Sequence, residues 1–440
     1  VSTSSSTTLE TIASLCKRRG FVYQSADIYG SLNGVYDYGH LGVIMKDNIK
    51  KAWKRSINQI EGAILFFDGA LLGPQAVWEA SGHVQHFHDP LVDCMHCKKR
   101  YRADDVDLHK PCPHCGITKW TDVRQFNMMF KTHAGALADH GSTAYLRPET
   151  AQSIFANFKN IVSSNRVKLP FGVAQIGKAF RNEITPKQFL FRMREFEQME
   201  LEWFCEDKAA DHFFEQWIAL RQSFYTAIGI TPVHIRLHPH SPTELAHYSK
   251  QCTDIEYQFP FGFRELEGIA DRGIFDLSQH TQHSGKDLSM FNDIANTTVM
   301  PHIIECSVGV DRLFIAILFE AYTQDTLGGE ERIVLRLHPS IAPIKAAFLP
   351  LTKKISEPML RIYTNIKKEL APYDYHVEFD DSGSIGKRYR RHDEIGTPFC
   401  FTYDFESEQD EQVTVRDRDT LKQERIAFEN IQSYIHNKIR

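Results

Sequence analysis

The chain has 440 residues, of which 42% are hydrophobic, 12% aromatic and 24% charged; this is globular composition, which excludes wholesale disorder and gives enough length for two or three cores. With 51 Lys plus Arg against 56 Asp plus Glu, the formal charge of -5 excludes a nucleic-acid binder that works by bulk positive charge and leaves that task to local patches. No stretch approaches the roughly 18 uninterrupted apolar residues of a membrane span.

The opening residues 1–8 are Ser/Thr-rich, with neither a basic region nor an apolar core, and read as a frayed tail rather than a targeting segment. From 41 to 57, apolar residues recur at Leu41, Ile44, Met45, Ile49, Trp53 and Ile57, with Lys50, Lys51, Lys54 and Arg55 between them. That spacing predicts a long amphipathic helix.

Residues 92–120 break the pattern and read as a small inserted module. Cys94-x2-Cys97 and Cys112-x2-Cys115 are separated by fourteen residues, the two-knuckle spacing that brings four thiolates around one zinc ion. Four cysteines would close the coordination shell, so the expected zinc is structural. A reactive dithiol pair or four unmetallated thiols are the alternatives, and His96, His109 and His114 compete as ligands. The other cysteines, Cys16, Cys205, Cys252, Cys306 and Cys400, show no framework spacing. A reducing, cytoplasmic compartment is expected.

Between 171 and 204, two strand-like runs flank a polar turn at Thr185, Pro186 and Lys187, which predicts a long antiparallel hairpin. Alternation along its second strand places Arg192, Arg194, Phe196, Gln198, Glu200 and Glu202 on one face and Met193, Met199, Leu201 and Trp203 on the other. Arg181, Asn182 and Glu183 close the first strand. A solvated face with ladder ion pairs is the plain reading. The functional one is that arginines grip phosphates, Phe196 stacks on a planar ring and the acids hold an amine or a cation.

Two prolines in 336–343 mark a domain boundary. Beyond it a strand at 345–350, a helix at 353–370, a strand at 376–379 and a closing helix from 419 predict an alternating α/β domain of about 100 residues.

Phe180-Arg181-Asn182-Glu183, with Arg192 four residues before Phe196 and Glu200 four after it, resembles motif 2 of class II aminoacyl-tRNA synthetases. Glu305-Cys306-Ser307-Val308-Gly309-Val310-Asp311-Arg312 resembles motif 3, and Pro74 sits where motif 1 and its dimer contact belong. Within the class, Tyr38-Gly39-His40-Leu41-Gly42, Trp78-Glu79-Ala80-Ser81-Gly82-His83, Leu146-Arg147-Pro148-Glu149-Thr150-Ala151-Gln152 and Phe196-Glu197-Gln198-Met199-Glu200 are similar to the homodimeric glycyl-tRNA synthetases.

The resemblance implies an α+β chain. Its class II catalytic domain (1–338) would be an antiparallel sheet flanked by helices, with a zinc-ribbon-like insertion (92–120), followed by a C-terminal α/β anticodon-binding domain (339–440). It implies a glycine–tRNA ligase that uses ATP with Mg2+, forms glycyl-adenylate and passes the glycyl group to tRNA(Gly), as a homodimer without membrane attachment.

Carried over by motif, Arg181, Arg312 and Glu305 are the expected catalytic groups. ATP falls to Arg181, Asn182, Glu183, Phe191, Arg192, Arg194, Phe196, Glu265, Leu266, Gly309, Asp311 and Arg312. Glycine falls to Arg102, Glu149, Phe196, Gln198, Glu200, Glu305, Ser307 and Gly309. Glu265 and Glu305 are the expected magnesium-facing carboxylates, with a structural ion pair as their alternative role. Lys387, Arg388, Arg390 and Arg391 around Tyr389 resemble an anticodon-contacting stretch, with a solvated helix face as the alternative. Arg416 and Arg418 could add to it or pair with their acidic neighbours.

Cys306 departs from the motif, where proline is expected, and implies a less rigid strand end. Two competing functions are a catalytically silent nucleic-acid-binding paralogue and a serine or threonine ligase. The first should lack Arg181, Glu183, Phe196, Glu200 and Arg312 as a set, and the second needs a larger pocket or a catalytic zinc.

Overall fold

In the computed structural model, residues 7–136, 142–246, 248–293, 296–327 and 329–439 are described. Of the expected tail, residues 1–6 lie outside them, while Thr8 caps the first helix, its side chain accepting from the Thr11 N–H.

The periodic segment at 41–57 forms the helix His40–Ile57, with Met45, Ile49, Trp53 and Ile57 fully buried. It lies in one large apolar cluster with Trp203, Trp217 and the helix Val310–Ala321. Above this core runs a seven-stranded sheet in the order Ile235–Pro239, Gln251–Phe259, Gly262–Gly273, His302–Gly309, Glu195–Cys205, Phe171–Phe180, Ala63–Phe67. Every pairing is antiparallel except the last, so an edge strand from early in the chain lies parallel to the hairpin.

The hairpin is as long as its sequence pattern predicts, pairing Phe171 with Phe204 through to Phe180 with Glu195. It differs at its tip: the second strand starts at Glu195, so Arg192 and Arg194 precede it. A short turn, Phe189–Phe191, takes up the intervening residues. The alternation read from Met193 onward therefore fails for Met193, which shares the pocket wall with Arg192.

A three-stranded sheet (Arg100–Arg102, His88–Asp93, Arg124–Asn127) carries the cysteine knuckles and leans over the same end of the large sheet. The C-terminal part has its own five-stranded sheet, ordered Val377–Phe379, Ala346–Pro350, Phe399–Tyr403, Gln412–Asp417, Gln423–Ala427, with a separate apolar cluster beneath it. The closing helix expected from 419 is instead the shorter Ile431–Ile439. Polar–apolar alternation in Gln412–Asp417 and Gln423–Ala427 makes them paired strands first.

The two parts are joined by buried charge. Asp393, fully buried in the helix Ile385–Ile395, accepts from Arg332 Nη1 at 3.1 Å and from both Arg416 terminal nitrogens at 2.8 and 2.9 Å. Glu394 beside it takes Arg18 and Arg19 from the first helix.

Candidate active site

One cavity of about 450 Å3 opens on the sheet face formed by Glu195–Cys205, His302–Gly309 and Gly262–Gly273. Strand register builds it. Gln198 lies opposite Gly309, Glu200 opposite Ser307 and Glu202 opposite Glu305, so acids on one strand meet acid and hydroxyl on the next. Cys306, of opposite parity, is buried in the core, and Ser307 keeps its place in the cavity wall.

Three guanidinium groups, of Arg181, Arg192 and Arg312, line one end of the cavity. Arg181 donates through Nε to the Pro148 carbonyl at 3.1 Å, with Phe87 and Phe196 ring centroids each 5.3 Å from its guanidinium carbon. Arg192 is tied only loosely, to Asp105 at 3.9 Å, and its Nη1 has no hydrogen-bond partner among the described residues. Arg312 lies over Phe191 at 4.4 Å and bonds the Glu265 carbonyl and carboxylate at 2.9 and 3.1 Å. That guanidinium holds the Glu265 carboxyl below its usual range.

At the other end sit Glu149, Glu200, Glu202 and Glu305. Glu149 is reached by His83 Nε2 at 3.3 Å and Gln152 Nε2 at 3.0 Å. Although burial works against it, His83 and Arg272 hold its carboxyl well below the usual range. Glu200 accepts from Thr150 Oγ1 at 2.6 Å, yet burial and the neighbouring Glu305 and Glu149 push it well above the normal range. Glu202 is fully buried, and neither of its oxygens has a hydrogen-bond partner among the described residues. Burial and Glu305 raise it too. Burial raises Glu305 as well, so the four adjacent carboxyls are split into one held as an anion and three that tend toward the neutral acid.

The loop holding Glu149 is fixed from below. Arg147, 2% exposed, donates to the carbonyls of Lys178 and Gly69 at 2.7 and 2.9 Å and to Gln175 Oε1 at 3.0 Å. Its Nη2 approaches the sheet so closely that a Cβ at Gly177 would lie 2.1 Å away. Only glycine admits it there.

Of the residues expected from sequence, Arg102, Glu149, Arg181, Glu183, Phe191, Arg192, Phe196, Gln198, Glu200, Glu265, Glu305, Ser307, Gly309, Asp311 and Arg312 all line this cavity. Asp311 does so as a brace, bonding Lys46 at 2.9 Å, the Glu197 N–H at 2.6 Å and the Tyr38 hydroxyl.

Three expected residues lie elsewhere. Leu266 is in the hydrophobic core, because a register shift between Ile255 and Glu256 turns it away from the side that Glu265 occupies. Arg194 is spent on the carbonyls of Asn33 and Glu183 at 2.6 and 2.9 Å. Asn182 does not line the wall; its backbone N–H donates to the Met128 carbonyl at 2.7 Å.

Arg272, His83 and Thr150 are absent from the sequence-based site. Arg272 is fully buried, bonding Asp276 through Nε and Nη2 at 2.7 and 2.8 Å and Glu305 through Nη1 at 2.9 Å. A signal did exist: after Gly268 and Ala270 line the cavity, period two puts Arg272 on the same face. Beyond Glu265, His240 Nε2 meets Asp254 at 2.9 Å and completes the far wall with Cys252.

The four knuckle cysteines come together as their spacing requires. Cys94 and Cys115 sulfurs are 3.6 Å apart and those of Cys97 and Cys112 are 3.8 Å apart, with all four within 4.8 Å of one another. A tetrahedron of Zn–S bonds near 2.3 Å has S···S edges of about 3.8 Å, so the set fits zinc.

On the C-terminal part, Lys387 is exposed and Arg390 and Arg391 are partly exposed. Arg388 is not available: 1% exposed, it donates to the carbonyls of Pro350 and Gly383. Tyr389 packs on Ala347, Leu349 and Cys400 beneath the helix, with its hydroxyl 2.6 Å from Thr402 Oγ1. Arg416 and Arg418 are also buried, bonded to Asp393 and to Asp419 respectively.

An antiparallel sheet carrying arginines on a motif 2 hairpin and on the strand-to-helix turn of motif 3 defines a class II aminoacyl-tRNA synthetase core. Residues 130–322 match the family described as tRNA synthetase class II core domain (G, H, P, S and T), and 345–438 match the anticodon binding domain family. The chain is 47% identical to the glycine–tRNA ligases of Caldanaerobacter subterraneus subsp. tengcongensis and Clostridium acetobutylicum, covering 98% of this chain and 99% of each relative. It is 48% identical to that of Borreliella afzelii, over 98% of this chain and 97% of the relative. The protein belongs to the glycine–tRNA ligase family.

Proposed function

We propose that the protein charges tRNA with glycine in two steps within this cavity. A glycine carboxylate oxygen attacks the α-phosphorus of ATP and pyrophosphate leaves; a terminal ribose hydroxyl of the tRNA then attacks the glycyl carbonyl and AMP leaves. The observation that carries this reading is the division of one cavity into an arginine end and a carboxyl end about Phe196.

Arg181 holds the α-phosphate and stabilises the charge that grows on it, while Arg192 and Arg312 take the outer phosphates. Phe196 stacks on the adenine and Glu183 accepts from its amino group. Mg2+ bound with ATP would neutralise phosphate charge, and Glu265 and Glu305 are the carboxylates that would hold it.

The glycine ammonium lies among Glu149, Glu200 and Ser307, with Arg102 toward the carboxyl end. Arg102 is already bonded to Asp89 at 3.1 Å and held by the inserted sheet. Selectivity for glycine follows from exclusion, because a side chain added into a filled pocket is costly. ATP–pyrophosphate exchange with glycine, alanine and serine in turn tests the reading: exchange with glycine alone, lost in Arg312→Ala, is expected. Exchange with none from folded protein would move the assignment to a silent RNA-binding relative.

Zinc on Cys94, Cys97, Cys112 and Cys115 folds the insertion and steadies Arg102, without an open position for chemistry. Metal analysis should find about one zinc per chain, absent from Cys112→Ser, whose glycine-dependent exchange falls by less than about tenfold. Zinc retained in that variant would refute the ligand set. Nine free cysteines support a reducing, cytoplasmic compartment.

A homodimer is supported by the edge strand Ala63–Phe67 and the Pro74 segment, where Phe66, Leu71 and Leu72 stay 54%, 41% and 53% exposed. Sedimentation should give a dimer for the wild type and a monomer for Phe66→Glu; a wild-type monomer at micromolar concentration would exclude it. The C-terminal unit, 339–440, reads the tRNA anticodon with Lys387, Arg390 and Arg391.

A further inference from the structure

A second and larger cavity, about 710 Å3, lies between the helices His40–Ile57 and Ala210–Ala227 on one side and the C-terminal part on the other. It shares no lining residue with the active site. Its charge is one-sided. Lys51, Arg55 and Lys345 face it, and the only carboxylate side chain in its wall among the described residues, Asp374, is already shared between Lys51 and His376. Arg55 makes no ion pair among the described residues.

Lys345 is 1% exposed and donates to the carbonyls of Pro339 and Ser340 at 2.8 Å each. As an ammonium it would carry three donors, two of them spent on these carbonyls. Burial and the nearby Lys51 and Arg55 hold this lysine well below its ordinary range; a buried cation beside two others is costly until an anion joins them. On the C-terminal wall, Tyr373 is 44% exposed, packed on His436 at 4.5 Å and stacked on Tyr375 at 5.7 Å. Cations next to an open aromatic face suit a phosphate joined to a planar ring, and the volume falls within the range of small-ligand sites.

We propose that this junction cavity is a separate binding site for a mononucleotide, with Lys51, Arg55 and Lys345 on its phosphate and Tyr373 against its base. The ligand would bridge the two parts of the chain at the helix that also sends Lys46 to Asp311 in the active site.

Equilibrium dialysis of the full chain with AMP tests it. Two classes of AMP site per chain are expected. Arg55→Glu, on the surface and without an ion pair among the described residues, should weaken one class at least tenfold and leave the other unchanged, whereas Phe196→Ala should do the reverse. Failure of the active-site reading and failure of this one therefore look different. Tyr373→Ala should weaken AMP but not orthophosphate at the junction site. A single AMP class, a second class indifferent to Arg55→Glu, or a site that holds orthophosphate as tightly as AMP would each overturn the proposal.

Discussion

Replacing Arg181 with alanine should lower kcat for glycine-dependent ATP–pyrophosphate exchange by about 10^2 to 10^3, or roughly 3–4 kcal/mol of transition-state stabilisation, with little change in KM for ATP. The side chain is poised for this. Among the described residues its only side-chain bond is the one from Nε to the Pro148 carbonyl, and two aromatic rings flank it, so both terminal nitrogens are directed by packing rather than by a partner carboxylate. Charge grows on the α-phosphate only as the glycine oxygen arrives. On the proposed assignment a preformed donor there acts on kcat, whereas Arg192 and Arg312, proposed for outer phosphates that are charged throughout, should act more on binding. Arg181→Lys keeps the charge and loses the fork, and should recover only a small part of the rate. An unchanged kcat in Arg181→Ala would place the α-phosphate elsewhere.

The largest loss of stability is expected from Asp393→Ala, about 3–5 kcal/mol in urea denaturation. Arg332 and Arg416 are 2% and 4% exposed, and Asp393 is the carboxylate that Arg416 uses. Its removal strands buried positive charge in a place water does not reach. Arg332 keeps Asp325, which it holds at 2.7 Å through Nε, so the damage should concentrate at Arg416. Asp393→Asn preserves acceptor shape and should cost less. A loss under about 1 kcal/mol would mean that water enters the joint freely.

Much of this was legible in the sequence because two periodicities carry it. The 3.6-residue repeat located His40–Ile57, and alternation located the hairpin and its acidic face. The knuckle spacing brought four sulfurs together without any knowledge of the fold. What failed was decided by irregularity or by partners far away in the chain. A single register shift sends Leu266 into the core, and the turn at Phe189–Phe191 takes Arg192 and Arg194 off the strand. Arg388 read as an RNA-facing cation and Arg416 as either that or a partner of its acidic neighbours, but carbonyls and the distant Asp393, which only the folded chain provides, have buried them. Arg272 stands outside the matched motifs, and only its bond to Glu305 on the neighbouring strand makes it part of the site.

The carboxyl cluster has a consequence for how this chain can change over time. Glu202 contributes no hydrogen bond among the described residues and crowds two other acids, so this buried cluster is a region where folding is opposed rather than helped. Selection for robustness alone would replace it with an apolar residue of the same volume. A lineage adapting to heat must therefore find its added stability elsewhere, in the joint around Asp393 or in the large apolar core, and leave the discomfort of the pocket in place.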